Sequence, residues 1–363
     1  MYFLHGAFAH PPLLRAVLEC DIPNQTAQLT GARQVEADDW LGPRLVCDDA
    51  GEVSGQTVDL TPAQAERLSF FAQVCGATPR SMTLKQGAAA TALFQQSPGE
   101  ATSDPGWPQR WAAIAVRAAG EVMQSCGVRT PEALAASLPQ ILLRAASWVR
   151  AQAEQTPMEV RSGFGNTDIT VKANRQPYLS YFAVSEQDVR FRRFNGMTSA
   201  TVERAAFMMG DAVTVLPYDP ARDRVLVVEQ FRAGPLARGD RNPWSLEPIA
   251  GRIDPGETPE DAARREAVEE TGLSLRALEP IGDYYPSPGA VSEYLYTYLG
   301  LADLPDEAAR IGGLDSEAED IRGVLLSFTA LTGLLATGEA QNGPLILSAL
   351  WLQANRTRLR NII

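Results

Sequence analysis

Between Gly251 and Leu273 the chain reads GRIDPGETPEDAARREAVEETGL, a stretch that demands a tight loop followed by a short helix crowded with acids. Thr258 can cap that helix, with Pro259 at its first position and Asp261 at the third as in a capping box. Gly272 then ends it in the left-handed conformation that glycine adopts cheaply. Within the helix Glu266 and Glu270 lie four residues apart and Glu269 three beyond Glu266, so their carboxylates project from one face. Such clustering repels and would destabilise a plain surface helix, but it makes sense where a divalent cation neutralises it. Arg265, four residues before Glu269, can orient that carboxylate through a bidentate pair. Gly251 and Gly256 let the preceding loop turn tightly, which brings Glu257 and the backbone carbonyl of Ala250 towards the same ions. This arrangement suits pyrophosphate chemistry, in which bridging magnesium ions neutralise a diphosphate and lower the pKa of a bound water. A further carboxylate, off the helix, must take the proton.

The rest of the composition narrows the chemistry. The chain has two histidines, His5 and His10, so residues 11 to 363 contain none. A Ser-His-Asp relay is thereby excluded in that stretch and a zinc site is disfavoured; hard cations held by oxygen fit, meaning magnesium with manganese as a substitute. The formal net charge of −12 argues against a nucleic-acid partner. A small anionic substrate can still meet a local arginine cluster. The four cysteines, Cys20, Cys47, Cys75 and Cys126, lack paired spacings and read as buried free thiols. No run approaches the roughly 18 to 20 apolar residues that span a bilayer. Pro11 and Pro12 fall where a signal helix would continue, so the chain reads as cytoplasmic, without a membrane partner.

A length of 363 residues calls for two or three domains. Residues 1 to about 95 alternate short apolar runs with turn residues, the pattern of a small β-rich domain with one or two helices. QSPGEATSDPG at 96 to 106 reads as a linker, and Trp107 to Glu154 as helical, with Thr130-Pro131 as a helix start. The segment 101–158 is thus a helical extension. From 159 to 363 a second β-rich region follows: DITVKANR, LSYFAVSEQDVRFRRF, TSATVERAAF, DAVTVLPYD and RVLVVEQFRAG read as strands. Two helices, in SFTALTGLLATG and PLILSALWLQANRTR, come near the end.

The 251–273 segment resembles the Nudix signature, G-x5-E-x7-R-E-U-x-E-E-x-G-U, where U is apolar. Gly251, Glu257, Arg265, Glu266, Glu269, Glu270, Gly272 and Leu273 match, and Ala267 is smaller than the usual first U. Seven fixed polar or glycine positions coincide by chance on the order of 10⁻⁸ per window. Over half the chain, from about 165 onward, is similar to the ADP-ribose pyrophosphatase branch of that family, including RRFNGMTS, SLEPIAG, SPGAVSE and SEAEDIR. The resemblance implies an α/β protein, with an α/β/α sandwich around a mixed sheet. It implies metal binding by the Ala250 carbonyl, Glu266 and Glu270, with Glu269 in support and Glu257 reaching the same ions. It places the substrate-marking proline at Pro288, beside Gly289, and a catalytic base in the acidic segment 315–320, at Glu317 with Glu319 second. Arg204 and Arg232 match arginines that contact the diphosphate or hold the site, each equally readable as a structural ion pair. Glu293 matches a glutamate near the terminal ribose, and Glu247 one that orients the metal loop. The family implies a homodimer whose strands, here within 165–208, exchange between subunits.

The first hundred residues resemble the γ-glutamylcyclotransferase-like (AIG2-like) fold, a small β-barrel or α+β domain, through FLHGAF, PPLLRAVL and GEVSGQTVDLTPAQAERLSFF. His5 and Ala7 replace the usual Tyr and Thr, and Ala72 stands where the catalytic glutamate belongs, so the domain reads as a scaffold or binding module without cyclisation chemistry. The combination looks like the bacterial tellurite-resistance-associated ADP-ribose pyrophosphatases. The leading expectation is hydrolysis of ADP-ribose to AMP and ribose 5-phosphate. The alternatives are another nucleoside diphosphate sugar or a dinucleotide, a non-catalytic sensor of ADP-ribose or a γ-glutamyl compound, and an active cyclotransferase.

Overall fold

The computed structural model describes residues 1–95, 106–314 and 319–361, which divide into two compact units, Met1–Ala205 and Ala206–Ile363. The first begins with β1 (Tyr2–Leu4), α1 (Pro11–Leu18), β2 (Gln25–Val35), β3 (Arg44–Val58), α2 (Pro62–Val74), β4 (Ala77–Thr83) and β5 (Ala89–Gln95). Proline opens both helices, and Thr61 caps α2 through the N–H of Gln64 while Gln64 accepts from the Thr61 N–H. β1 pairs antiparallel with β3 and parallel with β5, giving a mixed sheet in the order β2-β3-β1-β5-β4. The expected barrel is not formed by the described residues. Its two edges meet at the isolated Leu29–Leu84 bridge, where the Lys85 N–H donates to the Gln28 carbonyl and Thr30 Oγ1 to the Thr83 carbonyl, and β4 then ends at Thr83 as the chain turns back into β5. Phe3, Leu29, Leu45, Val53 and Phe94 fill the core of this sheet. Ala72 is buried on α2, at 1% exposure.

The helical stretch resolves into α3 (Trp107–Arg110), α4 (Ala112–Gln124) and α5 (Pro131–Ala153), and Thr130 caps α5 by accepting from the Ala133 N–H at 3.3 Å. Ala115, Ala118 and Ala119 are fully buried, and a buried Arg144–Glu121 pair at 2.6 Å links α5 to α4. β6 (Ile169–Leu179), β7 (Ala183–Phe191) and β8 (Val202–Met208) form a three-stranded sheet, with β8 running across the boundary between the units. A sheet this thin leaves Ile169, Val171, Tyr178 and Tyr181 about half exposed. The cysteines are free, but Cys47 is exposed and the other three only partly covered, so the expectation of buried thiols is corrected.

The second unit contains β9 (Ala212–Asp219), β10 (Arg224–Phe231), α6 (Ala233–Arg238), β11 (Trp244–Glu247), β12 (Ile249–Arg252), α7 (Pro259–Thr271), β13 (Ala277–Tyr284) and β14 (Leu295–Leu301). β15 (Ile311–Gly312), β16 (Ile321–Ser327), α8 (Phe328–Thr337) and α9 (Gly343–Arg360) complete it. Its mixed sheet runs β13-β14-β9-β10-β16-β15, with β11 on β10 and β12 on β9; β14 and β9 are parallel. Alternation sorts the strands onto two faces. Val213, Val215, Leu226 and Val228 pack with Ala262, Ala263 and Ala267 of α7, while Leu216, Tyr218, Val225 and Val227 pack with Leu331 of α8 and Leu345 and Leu352 of α9. Helices therefore cover both faces, and all eight residues of β9 are buried. No helix among the described residues is long and apolar enough to cross a membrane.

Candidate active site

α7 starts and stops where local rules require. Thr258 Oγ1 accepts from the Asp261 N–H at 3.2 Å and donates to the Asp261 carboxylate at 2.7 Å. Gly272, at φ +67°, closes the helix with its N–H on the Val268 carbonyl, and the Leu273 N–H reaches the Ala267 carbonyl. Ala267, small for its position, is fully buried in the core. The alanine face holds the helix against the sheet, so Glu266, Glu269 and Glu270 stand on its remaining surface beside β12.

Arg265 organises this surface. Its Nε and Nη2 reach the two oxygens of Glu257 at 3.0 Å each, and its Nη1 reaches Glu266 at 2.7 Å and Glu269 at 2.8 Å. Nη2 also donates to the Arg252 carbonyl at 2.9 Å. Burial works against the Arg265 charge, but Glu257, Glu266 and Glu269 more than offset it and raise its pKa. One guanidinium thus ties the loop glutamate to two helix glutamates, and the loop itself is fixed by the Asp254 N–H on Glu257 at 3.1 Å.

Glu270 has a different environment. It is 2% exposed, its Oε2 has no hydrogen-bond partner among the described residues, and its pKa is pushed up to about 9. Burial is the main cause, followed by the charges of Glu266 and Glu319; Arg232 and the Ala250 N–H act in the opposite direction. Glu266 is raised to about 7, again by burial first, with Arg265 opposing and with Glu269 and Glu319 adding repulsion. Glu266, Glu269, Glu270 and Glu319, four carboxylates from two chain segments, therefore share one repulsive cluster.

A buried carboxylate oxygen without a partner, beside two more acids, is a donor set that fits a hard divalent cation. Gly251 serves the same cradle, since an added Cβ would run into the Glu266 carboxylate. Ala250 brings the backbone of β12 to Glu270. Among the described residues no three His, Cys, Asp or Glu side chains already stand as a ligand set. Arg265 supplies the positive charge to Glu257, Glu266 and Glu269, and Glu266 and Glu270 are the side chains that could hold an ion.

The other expected residues fall at several places in the fold. Arg232 pairs with both oxygens of buried Glu247, at 2.8 to 3.2 Å, and its charge also acts on Glu270, so the ion-pair reading and proximity to the cluster hold together. Glu293 accepts from Arg252 Nη1 at 2.6 Å, and through Arg252 it is linked to Arg265. Pro288 and Gly289 are exposed in a turn closed by the Ala290 and Val291 N–H groups on the Ser287 carbonyl. Arg204 belongs to the first unit, on β8, where Nη1 donates to the Glu203 carbonyl at 2.8 Å. Glu317 lies outside the described residues. Glu319 lies just before β16 and accepts from the Leu314 N–H at 3.2 Å. Arg252 is the site residue that spacing missed, because its acidic partner is 41 residues away in the chain.

Residues 208–348 match the NUDIX domain. An ADP-ribose pyrophosphatase from Escherichia coli is 36% identical over 198 residues, covering 54% of this chain and 94% of that protein. One from Haemophilus influenzae is 33% identical over 199 residues, 54% of this chain and 91% of its own length. A GDP-mannose pyrophosphatase from Salmonella paratyphi B is 32% identical over 177 residues, 48% of this chain and 90% of its own length.

Proposed function

The chain belongs to the NUDIX family of hydrolases, and on that premise we propose that it hydrolyses the diphosphate bond of ADP-ribose to AMP and ribose 5-phosphate with magnesium. The observation that carries this reading is the buried, partnerless Glu270 oxygen beside Glu266 and Glu319. Magnesium bound there supplies neutralisation of the diphosphate and a water of lowered pKa; manganese serves as a substitute. Glu266 and Glu270, with the Ala250 carbonyl, would hold the ion, and Glu257 and Glu269 would support them. Arg265 locks Glu257, Glu266 and Glu269 in one geometry, which removes reorganisation from the reacting state. Glu317, or Glu319 in its place, takes the proton of the attacking water. Arg232 and Arg204 meet the diphosphate, and Glu293 with the Pro288-Gly289 turn meets the terminal ribose.

The half-exposed apolar side chains of the β6-β7-β8 sheet support a homodimer in which these strands are covered or exchanged. Residues 159–363 are read as the hydrolase region, 101–158 as a helical linker and 1–100 as a γ-glutamylcyclotransferase-like scaffold whose Ala72 cannot accept a proton. The cytoplasm is the proposed compartment. A GDP-mannose pyrophosphatase among the relatives favours nucleoside diphosphate sugars as the second reading. Purified protein with magnesium, offered ADP-ribose, GDP-mannose and NADH separately, is expected to release AMP from ADP-ribose at least ~10-fold faster by kcat/KM than it cleaves the others. A preference for GDP-mannose moves the assignment to the second reading.

A further inference from the structure

The edge strand β15 crosses the C-terminal end of α7, the end that carries Glu266, Glu269 and Glu270. A Cβ added at Gly312 would run into the carbonyl oxygen of Glu270, and one added at Gly272 would run into the guanidinium of Arg310. Two backbones thus touch at the last turn, and a cationic side chain lies against the residue that ends the helix. This end is electrostatically unfavourable. α7 has no basic residue in its last turn, its aligned peptide dipoles place negative partial charge there, and three glutamates add to it. Arg310 brings positive charge to that end from outside the helix.

The same segment also contacts Glu319. A Cβ added at Gly313 would lie 2.8 Å from Glu319 Cβ, the Leu314 N–H donates to the Glu319 carboxylate, and the Glu319 N–H donates to the Leu314 carbonyl at 3.3 Å. β16 holds the other side, with Ile311 opposite Arg322, Gly312 opposite Ile321, and the Gly323 N–H on the Arg310 carbonyl at 2.8 Å.

We propose that residues 310–314 form a positioning strap that fixes the Glu319 carboxylate relative to Glu266 and Glu270, with Arg310 and Gly312 as its positioning residues. The proposal rests on the reading of this carboxylate cluster as the hydrolytic site. Like charges left to themselves separate, and a loop with no anchor would carry Glu319 away from α7. The strap holds them together by backbone contact, so that the cluster is assembled before an ion or substrate arrives. Gly312 is needed because any side chain there must push either the helix end or the strap aside. A displacement of about 1 Å at a reacting centre can cost about 10²-fold in rate.

The test compares Gly312→Ala, Arg310→Ala and Arg310→Lys with the wild-type full chain by amide hydrogen exchange, magnesium-binding calorimetry and ADP-ribose kinetics. Gly312→Ala is expected to lower kcat at least ~10-fold with KM within about twofold, and to weaken magnesium binding at least ~5-fold. Amides 266–272 should exchange faster while β9 and β14 keep their protection. Arg310→Ala should show the same pattern at roughly threefold in magnesium binding, and Arg310→Lys, which restores the charge, should recover most of it. If Gly312→Ala does not fold, the Arg310 pair carries the same test. Wild-type magnesium binding and exchange in the alanine variants would overturn the strap, as would exchange rising throughout the second unit, the mark of a purely structural role. Both readouts are independent of substrate, so a wild-type protein that leaves ADP-ribose intact would refute the proposed function while these two measurements still decide the strap.

Discussion

Glu270→Gln and Glu266→Gln are each expected to lose at least about 100-fold in kcat while keeping a normal fold. The metal's stabilisation of transition-state charge is worth several kcal/mol, and each 1.36 kcal/mol is tenfold in rate, so removing one of its carboxylates costs two or more powers of ten. Folding is spared for a specific reason. Glu270 is 2% exposed and pushed up to about 9, so at neutral pH its metal-free carboxyl is already mostly uncharged, and glutamine has nearly its shape. Turnover at saturating magnesium, alongside circular dichroism, checks the expectation. Near wild-type rates in both variants would reject the assignment of these two side chains to the ion.

The second large effect is on stability against pH. The folded-state pKa values of Glu270, about 9, and Glu266, about 7, both lie above the ordinary 4.5 of an unfolded glutamate. A carboxyl raised by folding contributes stability that is fully present below its unfolded pKa and is lost as pH climbs through the folded one. The metal-free protein is therefore expected to lose melting temperature from about pH 5 to about pH 9, by roughly 5 °C or more. Magnesium should reverse the loss, because it binds the ionised folded form and not the unfolded chain. The gain on adding it should grow with pH as proton release is favoured. Glu270→Gln should flatten most of the slope. Thermal denaturation at several pH values, with chelator and with magnesium, decides it, and a wild-type melting temperature that stays level across this range would contradict the burial argument.

How much of this was legible before the structure depends on how far apart the interacting residues are in the chain. The cap at Thr258, the stop at Gly272 and the reach of Arg265 to Glu269 span three or four residues, and local helix rules suffice for them; the two-oxygen pair expected between Arg265 and Glu269 is made instead with Glu257, which precedes the helix. The strands flanking them follow from alternation, and so do the two faces of β9. Arg252 with Glu293, and Gly312 against the Glu270 carbonyl, depend on which strands become neighbours, and no spacing rule carries that information. The N-terminal sheet shows the same limit: its strands were readable one by one, but whether the sheet closes depends on the Leu29–Leu84 edge, where pairing is a single bridge. The second proton-acceptor candidate, Glu319, proves to act electrostatically on both Glu266 and Glu270, a relation that sequence position alone does not reveal.

The carboxylates of α7 are proposed to perform metal-dependent hydrolysis of a nucleoside diphosphate. The most direct measurement of this is a magnesium titration of chelator-stripped wild-type protein in the presence of ADP-ribose, followed by phosphorus NMR. The predicted result is no cleavage before magnesium is added, then equimolar AMP and ribose 5-phosphate appearing in a saturable, magnesium-dependent manner. Cleavage that proceeds undiminished in chelator, or ADP-ribose left intact at saturating magnesium, would contradict it.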